Sequence, residues 1–234
     1  MTYWLPAILS LLSLSGLIVG AKKKPEKSIK GDQHISRLLG FSSGLILYTA
    51  MGEALPIVAE QNRMLYFFVF FMGMLLNFGL SHLMPDAYDP HEGANAPKEE
   101  GRKTILSLSY HSLQETLVVF GMGLYSVPAA VLMALAAFFH HIPEGRGVNR
   151  RDALLATILS GAISLLAICL VCFLIGCQDL SLFISLCSGM AVCMTLDELL
   201  PAARRYGQHH TMIGGMIGGM MLASFLILFA PIIL

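Results

Sequence analysis

Charge is what this chain has least of. Only 13% of its 234 residues are charged, against about 25% in a soluble globular domain. That scarcity excludes a disordered chain, a nucleic-acid binder working through a basic field, and most ordinary cytosolic enzymes. No Lys or Arg occurs among residues 1–20. A cleaved signal peptide carries its positive charge before its apolar stretch, so the first segment reads as a retained helix. No cysteine precedes Cys169, and the five present (Cys169, Cys172, Cys177, Cys187 and Cys193) crowd into one stretch. Cys169 and Cys172 form a lone C-x-x-C without a second pair, which reads as packing. No H-E-x-x-H occurs, the helix a zinc hydrolase would want. Formal net charge is zero, which by itself says little about partners.

What is abundant is apolar sequence, 56% of the chain. A spanning helix needs about 20 mostly apolar residues. Eight such runs emerge, at 3–20, 35–59, 64–84, 103–125, 127–146, 152–175, 180–203 and 211–233. They do not alternate as barrel strands do, and only helices or closed barrels satisfy the backbone in lipid. The expectation is an all-α polytopic membrane protein, a single integral-membrane domain over 1–234, with its longest polar connections at about 21–34 and 85–102. The 14 Met read as adaptable packing residues.

Basic residues orient it. With the N-terminus outside, the cytoplasmic segments hold Lys22, Lys23, Lys24, Lys27, Lys30 and Arg37, then Lys98, Arg102 and Lys103, then Arg146, Arg150 and Arg151, then Arg204 and Arg205. Only Arg63 of the 15 falls on the other side. This is a positive-inside division with both termini outside. Asp152 and Asp179 stand where helices should begin, and Ser126-Val127-Pro128 reads as an outer turn. Gly214, Gly215, Gly218 and Gly219 offer the last helix a smooth packing face, or are merely tolerated.

Ionisable residues inside spanning helices are functional candidates by default. They are Glu53 in the second run, His111 and Glu115 in the fourth, His140, His141 and Glu144 in the fifth, and Asp197 and Glu198 in the seventh. The segments His111–Thr116 and His140–Gly145 align position for position at an offset of 29 residues. Residues i and i+4 lie about 40° apart on a helix, so each His–Glu pair shares a face. Counted from Val127, one cluster lies 16 to 12 residues before the turn and the other 13 to 17 after it. In an antiparallel hairpin they reach nearly one depth. Imidazoles and carboxylates together suit Zn²⁺, with Fe²⁺, Mn²⁺ or Cd²⁺ as competitors. Pro143 leaves the carbonyl of Phe139 without its usual donor, free to face a cation or water.

Glu53, near the outer end of its helix, could draw cations inward. Asp197 and Glu198 either line a route or pair with Arg204 or Arg205, the pairing being slightly ahead. The 85–102 loop, with His91 among acids, and the His209-His210 pair read as ordinary solvated sequence.

His140-His141-Ile142-Pro143-Glu144-Gly145 resembles the fifth-helix H-N-x-P-E-G signature of the ZIP (Zrt/Irt-like) divalent-metal transporters, most closely their short bacterial zinc-uptake branch. Gly52-Glu53-Ala54-Leu55-Pro56, Leu83-Met84-Pro85-Asp86-Ala87 and Asp197-Glu198-Leu199-Leu200-Pro201-Ala202-Ala203-Arg204 resemble its other conserved segments, so the likeness covers most of 40–233. It implies an eight-helix fold with a two-site pathway between helices four and five. The primary site would use Glu115, His140 and Glu144, with His111 beside it. A neighbouring site would fall on Ser112, His141 and Ser164. This chain departs from the pattern there: Ser112 replaces Asn, Ser164 replaces Glu, and Gln114-Glu115-Thr116 replaces P-E-G. Arg146 stands in place of an apolar residue, and the stretch from Gly145 to Ser160 is several residues short. One strong metal site and a weak or absent second are expected.

The implied function is zinc uptake, with no prosthetic group, no nucleic acid, and the lipid bilayer as surroundings. A homodimer is compatible with the sequence. An intramembrane zinc hydrolase and a non-transporting metal sensor are the rival readings.

Overall fold

The computed structural model describes residues 3–22, 29–56, 63–83, 102–146, 148–175 and 180–233. Among them there is no strand, and the molecule is a helical bundle. Helix α1 (Trp4–Ser13) runs through Leu14 into α2 (Ser15–Ala21). Helix α3 (Ile29–Leu47) passes into a π-helical segment, Tyr48–Ala54. Then follow α4 (Arg63–His82), α5 (Arg102–Gly123), α6 (Val127–Arg146) and α7 (Arg150–Ile175). Helix α8 (Leu180–Met194) leads through a second π-helical segment, Thr195–Leu199, into α9 (Leu200–Tyr206), and α10 (His209–Ile233) closes the chain.

Six of these helical stretches are long and apolar enough to cross a membrane: Trp4–Ala21, Arg63–His82, Val127–Arg146, Arg150–Leu174, Leu180–Tyr206 and His209–Phe229. The second and fourth expected runs, in α3 and α5, do not reach that apolarity. The reason is physical. Ser36, Ser42, Ser43 and Thr49 on the first, and Ser107, Ser109, His111, Ser112, Gln114, Glu115 and Thr116 on the second, are all buried. These helices present polar faces to protein instead of lipid, whereas α4 and α7 expose Phe68, Phe71, Leu75, Leu166 and Phe173.

Close packing holds the bundle. Lipid provides no hydrophobic drive between helices, so van der Waals contact must supply it, and small residues permit closest approach. On α3 and α10 the glycines are reciprocal. A Cβ at Gly40 or Gly44 would strike the carbonyl of Met212 or Met216, and one at Gly215 or Gly219 that of Arg37 or Phe41. Gly214 opens to space and Gly218 meets only the Phe41 ring, so half of the expected glycine face is structural. Gly73 on α4 and Gly189 on α8 oppose each other in the same way. Gly16 and Gly20 lie under the Phe138 and Ile142 carbonyls of α6, while Gly145 lies under that of Leu17.

Helix ends follow local chemistry. Asn149 accepts from the Asp152 amide at 2.9 Å and donates to its carboxylate at 2.8 Å, a reciprocal cap at the start of α7. Asp152 therefore does more than face the helix dipole. Ser126 caps α6 by accepting from the Ala129 amide at 3.2 Å. Asp179, Cys177 and the 85–101 loop lie outside the described residues. Helix α6 runs unbroken to Arg146, with Pro143 inside it.

Each π-helical segment precedes a proline, Pro56 in one case and Pro201 in the other. Leu55 and Leu200 donate their amides five residues back, to Ala50 and Thr195. A proline lacks the amide that would satisfy the carbonyl four residues earlier, and a widened turn shifts the register around that gap. Each segment carries a glutamate three residues before its proline, Glu53 and Glu198.

Candidate metal centre

Helices α5 and α6 form an antiparallel hairpin about the turn at 124–126, and the depth match expected from the residue count is what they adopt. His111 and Glu115 project from α5, His140 and Glu144 from α6. The ligand atoms of these four lie within 4.8 Å of one another, all buried. His140 Nε2 stands 2.6 Å from Glu115 Oε1 and 3.1 Å from Glu144 Oε1. His111 Nε2 stands 3.4 Å from Glu115 Oε1, 3.1 Å from Glu144 Oε1 and 3.4 Å from His140 Nε2.

Around a tetrahedral Zn²⁺ with bonds of about 2.0–2.2 Å, neighbouring donors are roughly 3.3–3.6 Å apart. The measured separations lie at 3.1–3.4 Å except His140 to Glu115 at 2.6 Å, so seating an ion requires mainly that pair to open. Two carboxylates at one buried point are costly unless countered by positive charge. A divalent cation held by two carboxylates and two neutral imidazoles leaves no net charge.

Other candidates divide around this centre. His141 faces the opposite oxygen of Glu115, Nε2 to Oε2 at 2.5 Å. Ser112 is buried, and its hydroxyl donates to the Leu108 carbonyl at 2.7 Å. Ser164 is wholly buried, its oxygen without a partner. Glu53 is half-buried on its π-helical segment near Tyr125, at the turn of the hairpin.

Glu198, which the sequence offers either as a route-lining residue or as a partner of Arg204 or Arg205, reaches the cluster. Its carboxylate places Oε2 3.4 Å from His111 Nδ1, and Oε1 accepts from Ser81 at 2.7 Å, the contacts of a route-lining residue. The widened turn of Thr195–Leu199 brings this side chain to the cluster from a different part of the bundle. Ser81 had no distinguishing signal in sequence, since a serine at a helix end is common. Tyr110 donates to the Leu80 carbonyl at 3.1 Å and ties α5 to the same end of α4.

A multi-pass helical protein with buried histidines and carboxylates converging from two helices belongs to the class of membrane proteins that take up divalent cations. No family profile matches the chain. It is similar to the zinc transporter ZupT of Corynebacterium aurimucosum, 30% identical over 244 positions that cover 90% of this chain and 92% of the relative. The ZupT of Corynebacterium efficiens is 31% identical over 251 positions, covering 92% of each. That of Chlorobium chlorochromatii is 33% identical over 225 positions, covering 81% of this chain and 84% of the relative. The chain belongs to the ZIP family, in its bacterial zinc-uptake branch. It is a multi-pass inner-membrane protein and not an enzyme.

Proposed function

We propose that this chain, one integral-membrane unit over 1–234, carries Zn²⁺ into the cytoplasm through the His/Glu cluster. The observation that carries the reading is the convergence of His111, Glu115, His140 and Glu144 ligand atoms within 4.8 Å at a buried point. In this reading α5 and α6 are the fourth and fifth of eight spans. The polar helices α3 and α5 cross inside the bundle, shielded by their apolar neighbours. The basic residues set both termini outside.

The ion is drawn in near Glu53 and sheds water into the cluster. Glu115, His140 and Glu144 are its main ligands and His111 completes the set. Glu198 stands against the far nitrogen of His111, a carboxylate through which the ion can leave the cluster. His141 holds Glu115 from its other oxygen, and Ser112 contributes only an already engaged hydroxyl. Fe²⁺, Mn²⁺ and Cd²⁺ share enough ligand preference to compete at this donor set.

The test is uptake of radioactive Zn²⁺ into proteoliposomes by the wild type, Glu115→Ala and Glu144→Ala. Flux well above empty vesicles, lost in both variants, is expected. No flux above empty vesicles, or equal flux in all three proteins, would overturn the assignment. Zn²⁺ binding without flux would turn the reading toward a non-transporting sensor.

A further inference from the structure

We propose that the corner of the bundle where α2, α6 and α7 meet binds the headgroup phosphate of an anionic phospholipid through Lys22, Arg146, Arg150 and Arg151. A Cβ on Gly20 would stand 3.0 Å from the Gly145 Cα, and one on Gly145 would stand 3.0 Å from the Ala21 amide nitrogen. Lys22 follows Ala21 and Arg146 follows Gly145, so this backbone contact brings two cations to one corner. Arg150 and Arg151 arrive through a single tight turn. The Val148 amide donates to the Gly145 carbonyl at 3.2 Å and the Ala153 amide to that of Asn149 at 3.0 Å. Val148 is anchored among Leu17, Leu108, Ala153 and Ala156.

Among the described residues none of these cations has an ion-pair partner. Asp152, the carboxylate of the turn, is engaged by Asn149 instead. Arg146 is half-buried, and its Nε is shielded from solvent without a hydrogen-bond partner. A charged donor so placed is costly unless an acceptor meets it, and phosphate oxygens match the guanidinium fork. What favours a lipid over a free phosphate lies one turn further along α7. Leu154 and Leu155 follow Arg150 and Arg151 at i+4 and, with Ile158, are exposed. Cationic side chains therefore cap an exposed apolar stripe, which suits a charged headgroup standing above its acyl chains. The His/Glu cluster takes no part in this site, which stands or falls apart from zinc transport.

Native mass spectrometry of the purified full-length protein, titrated with phosphatidylglycerol or with phosphatidylcholine of the same chains, tests this. The wild type is expected to prefer phosphatidylglycerol by about tenfold or more. Arg146→Gln and Arg150→Gln should each weaken its binding about fivefold, while Arg63→Gln, at the opposite end of the bundle, should leave it unchanged. The triple variant Arg146→Gln, Arg150→Gln, Arg151→Gln should lose the preference, and the corresponding Arg→Lys triple variant should keep most of it. Equal affinity for the two lipids in the wild type, a preference that survives the glutamine triple variant, or a lysine triple variant no better than the glutamine one overturns the site. Glycerol 3-phosphate, which carries the phosphate without chains, is expected not to displace the lipid. Displacement at equal concentration overturns the lipid assignment in favour of a soluble phosphate.

Discussion

Glu115 has two carboxylate oxygens and two unlike neighbourhoods. On the Oε1 side stand His140 at 2.6 Å and His111 at 3.4 Å, with Glu144 across from both. On the Oε2 side the His141 imidazole is the neighbour, at 2.5 Å, and the Ser112 hydroxyl already donates within its own helix. The first side holds a second carboxylate and the second does not. A divalent ion moved out of water needs about two negative charges close by to offset its desolvation. Only the Oε1 side meets that requirement, which under the proposed function makes it the cation site and the Oε2 side its buttress.

Substitutions can break that asymmetry, and the largest effect should come from the residue both sides share. Glu115→Ala removes the ligand and the buttress contact together, and Zn²⁺ flux in proteoliposomes should fall by about 100-fold or more. Glu144→Gln keeps volume and removes one negative charge from the Oε1 side alone. Its Zn²⁺ affinity by equilibrium dialysis should fall roughly 10- to 100-fold. Acidification acts on both sides at once. Imidazoles must be neutral to ligate, so protons compete with metal, and Zn²⁺ affinity should fall steadily as the pH is lowered from about 7.5 to about 5.5, by about tenfold or more. His141→Ala touches only the buttress, and a loss of about three- to tenfold in affinity is expected. Equality between His141→Ala and Glu144→Gln would erase the asymmetry. Ser112→Ala should change flux by less than about twofold, because its hydroxyl already serves Leu108; a larger loss would make Ser112 a ligand after all.

Much of the centre was legible in the residues. The 29-residue offset between His111 and His140, and the distances of both clusters from Val127, put them at one depth from the sequence alone. Glu198 was not legible in this way. Its approach to His111 depends on a widened turn before Pro201 and on the packing of α8 beside α4, neither of which has a periodic signature. Ser81 was equally silent, since a polar residue in an apolar run gives no hint of which neighbour it meets. Glycine packing was half visible: Gly215 and Gly219 were marked in the last helix, but their partners Gly40 and Gly44 were not. Asn149 went unremarked beside Asp152, although its side chain makes both bonds of the cap.

Balanced charge conceals two populations, and local chemistry sorts them. Basic side chains cannot enter lipid cheaply, so their positions along the chain already set the expected topology. Helical periodicity and a short turn likewise committed His111, Glu115, His140 and Glu144 to one face of a hairpin, because i,i+4 spacing is a property of any helix. Which oxygen of Glu115 meets which imidazole required more. So did the reach of Glu198 to His111. Glu198 meets His111 and Ser81 from 87 and 117 positions away, and the geometry is set by the angle and closeness at which α4, α5, α6 and α8 pack. Reciprocal glycines and proline-linked π turns decide that closeness, and only the assembled bundle brings them together.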